Sequence, residues 1–349
     1  MGKIFLSMVA VISENSQLSI RFAQKRDVQK VMKFIDSYWK SGHILSRDQE
    51  LFEYLYLEKS GNLNFVIATE VDTGRDVAIL GFIPTNSSGS RVSLALWQAI
   101  NNKELRGLNP GLACFRYLIN QLSPKSLFCV GIKAKTRVIY DFMGFACGVM
   151  DHHFILNQRL RDFNIIVKPP LFEIKNIDVE KTYSVERLIN SSDALAKAIK
   201  SELEKYGKDV DYFCHRYMNH PSFNYEIIEV MDESRFVGIV VFRRCIVDKS
   251  SCLRIIDVVG GTNCLGGAMP FMVSEMYKNN DEYIDLVSWG LDRAELEQIG
   301  FINRRKHLDC IVPEHFSPFV PTNKDIWFFS NMPNSEQFFK GDGDQDRPN

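Results

Sequence analysis

The feature that most constrains this chain is an internal repeat. Gly111-Leu112-Ala113 opens a run of helical character that reaches Leu122. A compact apolar strand over 126–132 follows, then a helical run over 136–143 closed by Gly144-Phe145, then a strand-like run over 146–156. Half a chain later, Gly266-Gly267-Ala268 opens a second run to about Lys278. Residues 283–288 alternate as a strand, and 292–299 read as a helix that Asp292 can cap, closed by Gly300-Phe301. A further strand-like run ends near Val312. An apolar strand precedes each Gly-x-Ala, over 92–97 and over 253–259. One Gly-x-Ala carries no information. Two of them, each at nearly the same distance from a Gly-Phe and in the same order of elements, predict a duplicated α/β unit.

The segments before each repeat agree. In the first half, a strand over 18–22 leads to a helix with Asp27 in its early turn and Val28, Val31, Met32, Ile35 and Trp39 on one face. Strands over 64–68 and 77–82 then flank the turn Asp72-Thr73-Gly74. The second half repeats a helix over 191–206 and a strand pair over 225–230 and 236–242. A linker is expected from Lys168-Pro169-Pro170 to about Lys181, which divides the chain into domains 1–168 and 169–349. The 349 residues are too many for one ordinary core and suit two. The expected class is α/β with mixed, α+β character: two tandem domains, each a twisted mixed sheet flanked by helices.

Charge narrows the function. Lys and Arg number 42 against 43 Asp and Glu, without the basic excess of a general nucleic-acid binder. No apolar stretch nears the ~20 residues of a membrane helix, so no membrane insertion is expected. The opening MGKIFLSMVAVI lacks a small-residue cleavage site before Ser13-Glu14-Asn15-Ser16. Residues 4–12 read instead as a strand or packed extension. None of the 8 cysteines forms CxxC, and most sit in apolar runs, as buried free thiols do. Together these place the chain in a reducing cytoplasm. No histidine spacing suits zinc, since adjacent His152 and His153 face opposite sides of a strand, and no metal is expected.

A strand, a glycine turn and a helix start form an anion site, because the first helical N–H groups are unpaired and the helix end carries partial positive charge. Asn109 to Ala113 fits, with Pro110 in the first turn and Gly111 positioned for close backbone approach. The order of elements, with Gly111 and Ala113 and the later Tyr140-Asp141-Phe142-Met143-Gly144-Phe145, resembles the GNAT superfamily of acetyl- and acyltransferases over about 18–156. That family's turn reads Arg/Gln-x-x-Gly-x-Gly/Ala and holds the CoA pyrophosphate. Here Leu108 takes the Arg/Gln place, with Arg106 nearby as a substitute. The resemblance implies acyl-CoA as co-substrate, held by Arg106, Asn109, Gly111, Leu112 and Ala113. It also implies an oxyanion donor on the splayed strand at Trp97, Gln98 or Ala99, and Tyr140 as proton donor to the leaving thiolate. The second half matches Gly266 and Ala268 only, with Asn263 and Leu296 in the Arg/Gln and tyrosine places. The first half is therefore the expected CoA site.

The attacking amine must be neutral, so a base or a water chain takes its proton. The candidates are His43, Asp151, His152 and His153, with His43 foremost because its segment lies on the acceptor side in that family. Helix capping is the competing reading of His43, and an ion pair that of Asp151. Trp39, His43 and Ser46, with the terminal Gly-Asp-Gly-Asp-Gln-Asp-Arg-Pro-Asn, are similar to tandem GNAT enzymes that acylate dTDP-linked amino-dideoxy sugars. One such type adds a 3-hydroxybutanoyl group to dTDP-3-amino-3,6-dideoxygalactose in polysaccharide and lipopolysaccharide synthesis. On that resemblance Trp39, Ser46, Asp344, Asp346 and Arg347 face the acceptor. Arg347 would then fork onto a phosphate, and Phe316, Phe319, Trp327 and Phe328 either stack on a base or pack in a core. Two other functions stay open: acylation of a peptide or polyamine, and a non-catalytic acyl-CoA-binding pair.

Overall fold

A computed structural model of the chain describes residues 17–100, 107–170, 183–188 and 192–348, with the backbone alone over 192–198. Residues 4–12, Arg106 and most of the expected linker lie outside this set. The chain divides into two compact units, one formed by residues up to Cys147 with Phe329–Met332, the other by Gly148–Phe328 with Pro333–Arg347.

The first unit opens with β1 (Leu18–Gln24). Asp27 then accepts two bonds of 2.7 Å from the Arg21 guanidinium and one from the Gln24 amide, fixing the turn into α1 (Val28–Phe34). Val28, Val31, Met32 and Ile35 are buried as their spacing requires, and the helix widens into a π turn over Ile35–Trp39. After α2 (Ile44–Arg47) and α3 (Gln49–Tyr56) come the hairpin strands β2 (Asn62–Glu70), β3 (Asp76–Pro84) and β4 (Arg91–Ala99). The series α4 (Pro110–Leu122), β5 (Ser126–Ile132), α5 (Arg137–Phe142) and β6 (Ala146–Val149) follows. Cys114, Phe115, Leu118 and Ile119 of α4 close an apolar core over Val66, Ala68, Leu80 and Leu94 of the sheet.

The second unit contains β7 (Asp151–Leu156), β8 (Tyr183–Arg187), α6 (Ser192–Lys205), α7 (Val210–Phe213), β9 (Glu226–Asp232), β10 (Arg235–Val247) and β11 (Ser250–Val259). Then follow α8 (Gly261–Asn279), β12 (Tyr283–Trp289), α9 (Arg293–Gln298), β13 (Ile302–Asn303) and a small hairpin of β14 (His315–Phe316) with β15 (Phe319–Val320). The chain finishes with β16 (Trp327–Ser330) and β17 (Phe338–Phe339).

The two sheets have the same plan. The first runs β1-β2-β3-β4-β5-β16-β6 and the second β8-β9-β10-β11-β12-β7-β13. In each, the sixth place is filled by a strand from the opposite half of the sequence. This moves the expected domain boundary. β7 is buried along its whole length and pairs from Tyr283↔Leu156 to Ser288↔Asp151 with β12, so the chain changes unit after Cys147 and not after 168.

The helix closures repeat in detail. Phe145 N–H donates to Tyr140 O at 3.0 Å and Gly144 N–H to Asp141 O at 3.0 Å; Phe301 N–H donates to Leu296 O at 2.9 Å and Gly300 N–H to Glu297 O at 3.1 Å. Gly144 and Gly300 sit at φ 85° and 97°, as this cap demands. The Gly-x-Ala of the second half is different. α8 starts at Gly261, so Gly266 and Ala268 lie inside the helix. A Cβ on Gly267 would fall 2.6 Å from Val230 and 2.8 Å from Tyr183, so this glycine admits strands β8 and β9 rather than an anion.

Candidate active site

β4 and β5 run parallel but pair only from Arg91↔Ser126 to Ser93↔Phe128, and from Leu94 onward they diverge. Just beyond, the β3–β4 register jumps from Leu80↔Trp97 to Phe82↔Leu94, which places a bulge at Ala95 and Leu96. A bulge turns backbone polar groups out of the ladder, and such groups recur beside active sites. It precedes the Trp97-Gln98-Ala99 segment expected to supply an oxyanion donor. Sequence periodicity gave no sign of it.

The start of α4 stands against this strand. Asn109 adopts a left-handed conformation (φ 45°) and Pro110 takes the first helical place. The amides of Gly111 and Leu112 precede the first helical bond, Ala113 N–H to Asn109 O at 3.0 Å. Gly111 itself is buried against β4. The Trp97 indole donates to its carbonyl at 3.0 Å, and a Cβ would lie 3.1 Å from Trp97 Nε1 and 3.3 Å from the Ala99 Cβ. Its lack of a side chain therefore serves helix–strand packing on this face. Gln98 turns its amide onto the Ala99 carbonyl at 2.7 Å.

Tyr140 joins this group through its ring. It stacks on Phe329 at 4.1 Å, with Trp97 at 5.9 Å and Phe145 at 6.4 Å, while Trp97 stacks on Phe115 at 5.4 Å. Burial pushes the phenol well above its ordinary value, with Cys129 and Cys147 adding to the shift, so the hydroxyl stays protonated. Phe329 comes from β16, almost two hundred positions along the chain, and no local signal could have found it.

The expected acceptor segment is ordered. The π turn ending at Trp39 packs against β4, and the Trp39 ring meets His43 edge-on at 4.5 Å. His43 is buried and caps α2, its Nδ1 accepting from the Leu45 amide at 3.2 Å. That bond engages the Nδ1 lone pair, which matches the capping reading of His43. Ser46 Oγ donates to the His43 carbonyl at 2.8 Å, with Asp36 at 3.1 Å.

The other base candidates belong to the second unit. The Asp151 carboxylate is held by the Arg293 guanidinium at 2.7 and 2.9 Å. His152 Nε2 donates to Asp285 at 2.9 Å, and Asp285 is itself clasped by the buried Arg254. His153 has no exposure and receives the Asn303 amide at 3.2 Å; burial lowers its pKa to about 4. All three are engaged by partners within the second unit.

The tail residues Asp342, Asp344 and Asp346 are buried in the same unit. Asp346 accepts from Arg243 at 2.9 Å twice and from the Tyr225 hydroxyl at 2.8 Å. Burial would raise this carboxyl, but Arg243 outweighs it and holds it below the usual carboxylate range. Arg347 pairs with Asp344 at 2.8 Å. These partners take up the groups expected to meet an acceptor. Phe328 is buried, and Phe316 lies 4.7 Å under the Arg254 guanidinium, so both serve packing.

Among the described residues, no helix is long and apolar enough to cross a membrane, and no three His, Cys, Asp or Glu side chains are grouped to hold a metal ion.

Comparison with known proteins adds the fold class. No protein-family model matches the sequence, and no curated protein sequence matches it. Solved structures do. A GCN5-related N-acetyltransferase from Anabaena variabilis aligns over 90% of this chain and 72% of its own, with a TM-score of 0.56 at 13% identity. A probable N-acyltransferase from Enterococcus faecalis aligns over 92% and 74%, with a TM-score of 0.54 at 10% identity. A GCN5-related N-acetyltransferase from Kribbella flavida aligns over 91% and 72%, with a TM-score of 0.52 at 13% identity. The chain thus has the fold of GCN5-related N-acetyltransferases, mixed α/β with helix-flanked sheets. Its two sheets repeat one strand plan, so the fold is present twice.

Proposed function

We propose that this protein is a CoA-dependent N-acyltransferase and that its chemistry takes place in the first unit. The observation that carries the reading is the divergence of β4 from β5, with the bulge at Ala95 and Leu96, the start of α4 and Tyr140 gathered around it. An unpaired strand edge offers N–H and C=O groups to a linear chain bearing amides, which the pantetheine arm of CoA is. The amides at the α4 start suit its pyrophosphate.

The step balances without a further reactant. The neutral acceptor amine attacks the thioester carbonyl, forming the C–N bond, and its proton passes to water. A backbone N–H at the β4 bulge stabilises the oxyanion. The C–S bond then breaks, the Tyr140 hydroxyl gives its proton to the sulfur as CoA leaves, and the water that took the amine proton returns one to Tyr140. His43 holds the α2 turn beside Trp39 and takes no proton.

For the acceptor we propose the amine of a dTDP-linked amino-dideoxy sugar. The support is the likeness of the Trp39 to Ser46 segment to enzymes with that substrate, and its packing on β4 through the π turn. Asp344, Asp346 and Arg347 leave this reading, because their charges are matched within the second unit.

The test is release of free thiol from acetyl-CoA and 3-hydroxybutanoyl-CoA, each mixed with dTDP-amino sugars, simple amines or peptides. Release that depends on a dTDP-amino sugar supports both parts. Release with amines or peptides alone keeps the transferase and discards the sugar. CoA binding without release from any acceptor favours a non-catalytic pair.

A further inference from the structure

The second unit has its own notch of the same design. β11 and β12 pair in parallel only from Leu253↔Ile284 to Ile255↔Leu286 and then diverge. β11 carries a bulge at the corresponding place, where the β10–β11 register jumps from Val241↔Asp257 to Phe242↔Ile255 and leaves Ile256 unpaired. This notch is filled. β17 pairs with the diverging end of β12, at Ser288↔Phe339 and Trp289↔Phe338. On the other wall, the Gly341 amide donates to the carbonyl of the bulged Ile256 at 2.8 Å. The fit is close enough to require glycine: a Cβ at 341 would lie 2.4 Å from the Tyr217 hydroxyl and 2.9 Å from the Ile256 carbonyl. Gln337 reaches the first residue of α8, its Nε2 lying 3.8 Å from where a Gly261 Cβ would be.

Charge closes the rest. Buried Lys208 bonds both oxygens of Asp257, at 2.7 and 2.6 Å, and meets Asp342 at 3.3 Å. Arg216 donates to the Gly341 carbonyl at 3.2 Å and the Asp346 carbonyl at 3.0 Å. Arg243 holds Asp346, and Lys340 pairs with Glu314. Phe338, Phe339, Asp342, Asp344 and Asp346 are all buried. A strand that made these bonds only in passing would take both carbonyl acceptors from buried Arg216, and Asp342 from Lys208, each time it left, which is costly.

We propose that the second notch is a strand-binding site held by the chain's own C-terminal segment, so that each chain takes up acyl-CoA at the first notch alone. The count of one rests on the acyl-CoA reading of the first unit; the occupancy of the second notch does not.

Two measurements on the full chain separate these. Equilibrium dialysis with acetyl-CoA is expected to give one per chain. Hydrogen exchange is expected to show amides over 338–346 protected to the level of β10 and β11, equally with and without saturating acetyl-CoA. Two acetyl-CoA per chain, or fast exchange over 338–346 in the free protein, overturns the proposal. Absence of any acetyl-CoA binding sinks the function proposed for the first unit, while the exchange pattern still decides the tail. Gly341→Val is expected to strip protection from 338–346 and leave β1 to β4 unchanged. Unaltered protection in that variant overturns the close fit argued for Gly341.

Discussion

The Trp97 indole and Gly111 fix one another: the ring nitrogen donates to the Gly111 carbonyl at 3.0 Å, and a Cβ at 111 would lie 3.1 Å from that nitrogen. The strand that carries the bulge and the helix that offers its amides are tied at this point. Gly111→Val should destabilise the first unit by about 1–3 kcal/mol, the usual cost of overpacking. Acyl-CoA affinity should fall with it, because the α4 start is pushed off β4. Trp97→Phe removes one hydrogen bond and should cost about 1 kcal/mol, with a smaller loss of affinity. Denaturant titration and acetyl-CoA binding check both. A Gly111→Val chain of unchanged stability would refute the packing role.

Tyr140 sits in an aromatic cage and keeps its proton. Tyr140→Phe keeps the ring and its stacking on Phe329 while removing the donor. Turnover should drop by roughly the 10²–10⁴-fold range of a lost acid–base group, with acetyl-CoA affinity within about twofold. Steady-state rates at saturating acyl-CoA measure the first and equilibrium binding the second. Unchanged turnover would remove Tyr140 from the chemistry.

His43 was the foremost base by sequence, and its geometry makes it a cap. Losing a capping acceptor costs about 0.5–2 kcal/mol, so His43→Ala should lower stability by that amount and His43→Asn should restore most of it. Both variants should keep the pH profile of turnover of the parent. A profile that loses its acid limb in His43→Asn would return the residue to the role of base.

The duplication was legible because strand and helix periodicity and the Gly-Phe closures are local properties, written within a few residues of where they act. Gly144 and Gly300 carry that signal faithfully. The Gly266-Gly267-Ala268 match misled because a glycine that admits a neighbouring strand looks the same in sequence as one that opens a helix. Gly260-Gly261, directly after an apolar strand, was the truer mark of the α8 start. Asp151, His152 and His153 fall within the first domain by sequence but lie in the second sheet, because strand pairing across halves of a chain has no local signature. The same holds for Phe329 and for the partners of Asp346, whose burial alone turns an apparent substrate ligand into an internal ion pair.

His153 and His220, together with His315, whose pKa burial and Lys324 also lower, contribute to the response to mild acid. Burial lowers the first two to about 4, helped at His220 by the Arg216 charge and opposed at His153 by Asp151. His220 also spends its Nδ1 lone pair on the Ser222 and Phe223 amides, each at 3.1 Å. An unfolded histidine protonates near pH 6.5, so between about 6.5 and 4 the unfolded chain binds protons that the folded chain refuses. Stability therefore falls as the pH drops through that window, by up to one proton's worth of slope for each histidine. Burial would raise Asp285, but Arg254 and His152 hold it at about 2, so it acts only at lower pH. Its stability is present above the unfolded value of about 4 and is lost below it. Asp257 and Glu229, which burial raises, work in the opposite sense to the histidines. A difference measurement cancels them. Denaturation midpoints from about pH 7 to about pH 4.5 should fall less steeply for His153→Gln than for the parent, by close to one proton. Equal slopes in the two proteins would mean that His153 already carries its proton in the folded state.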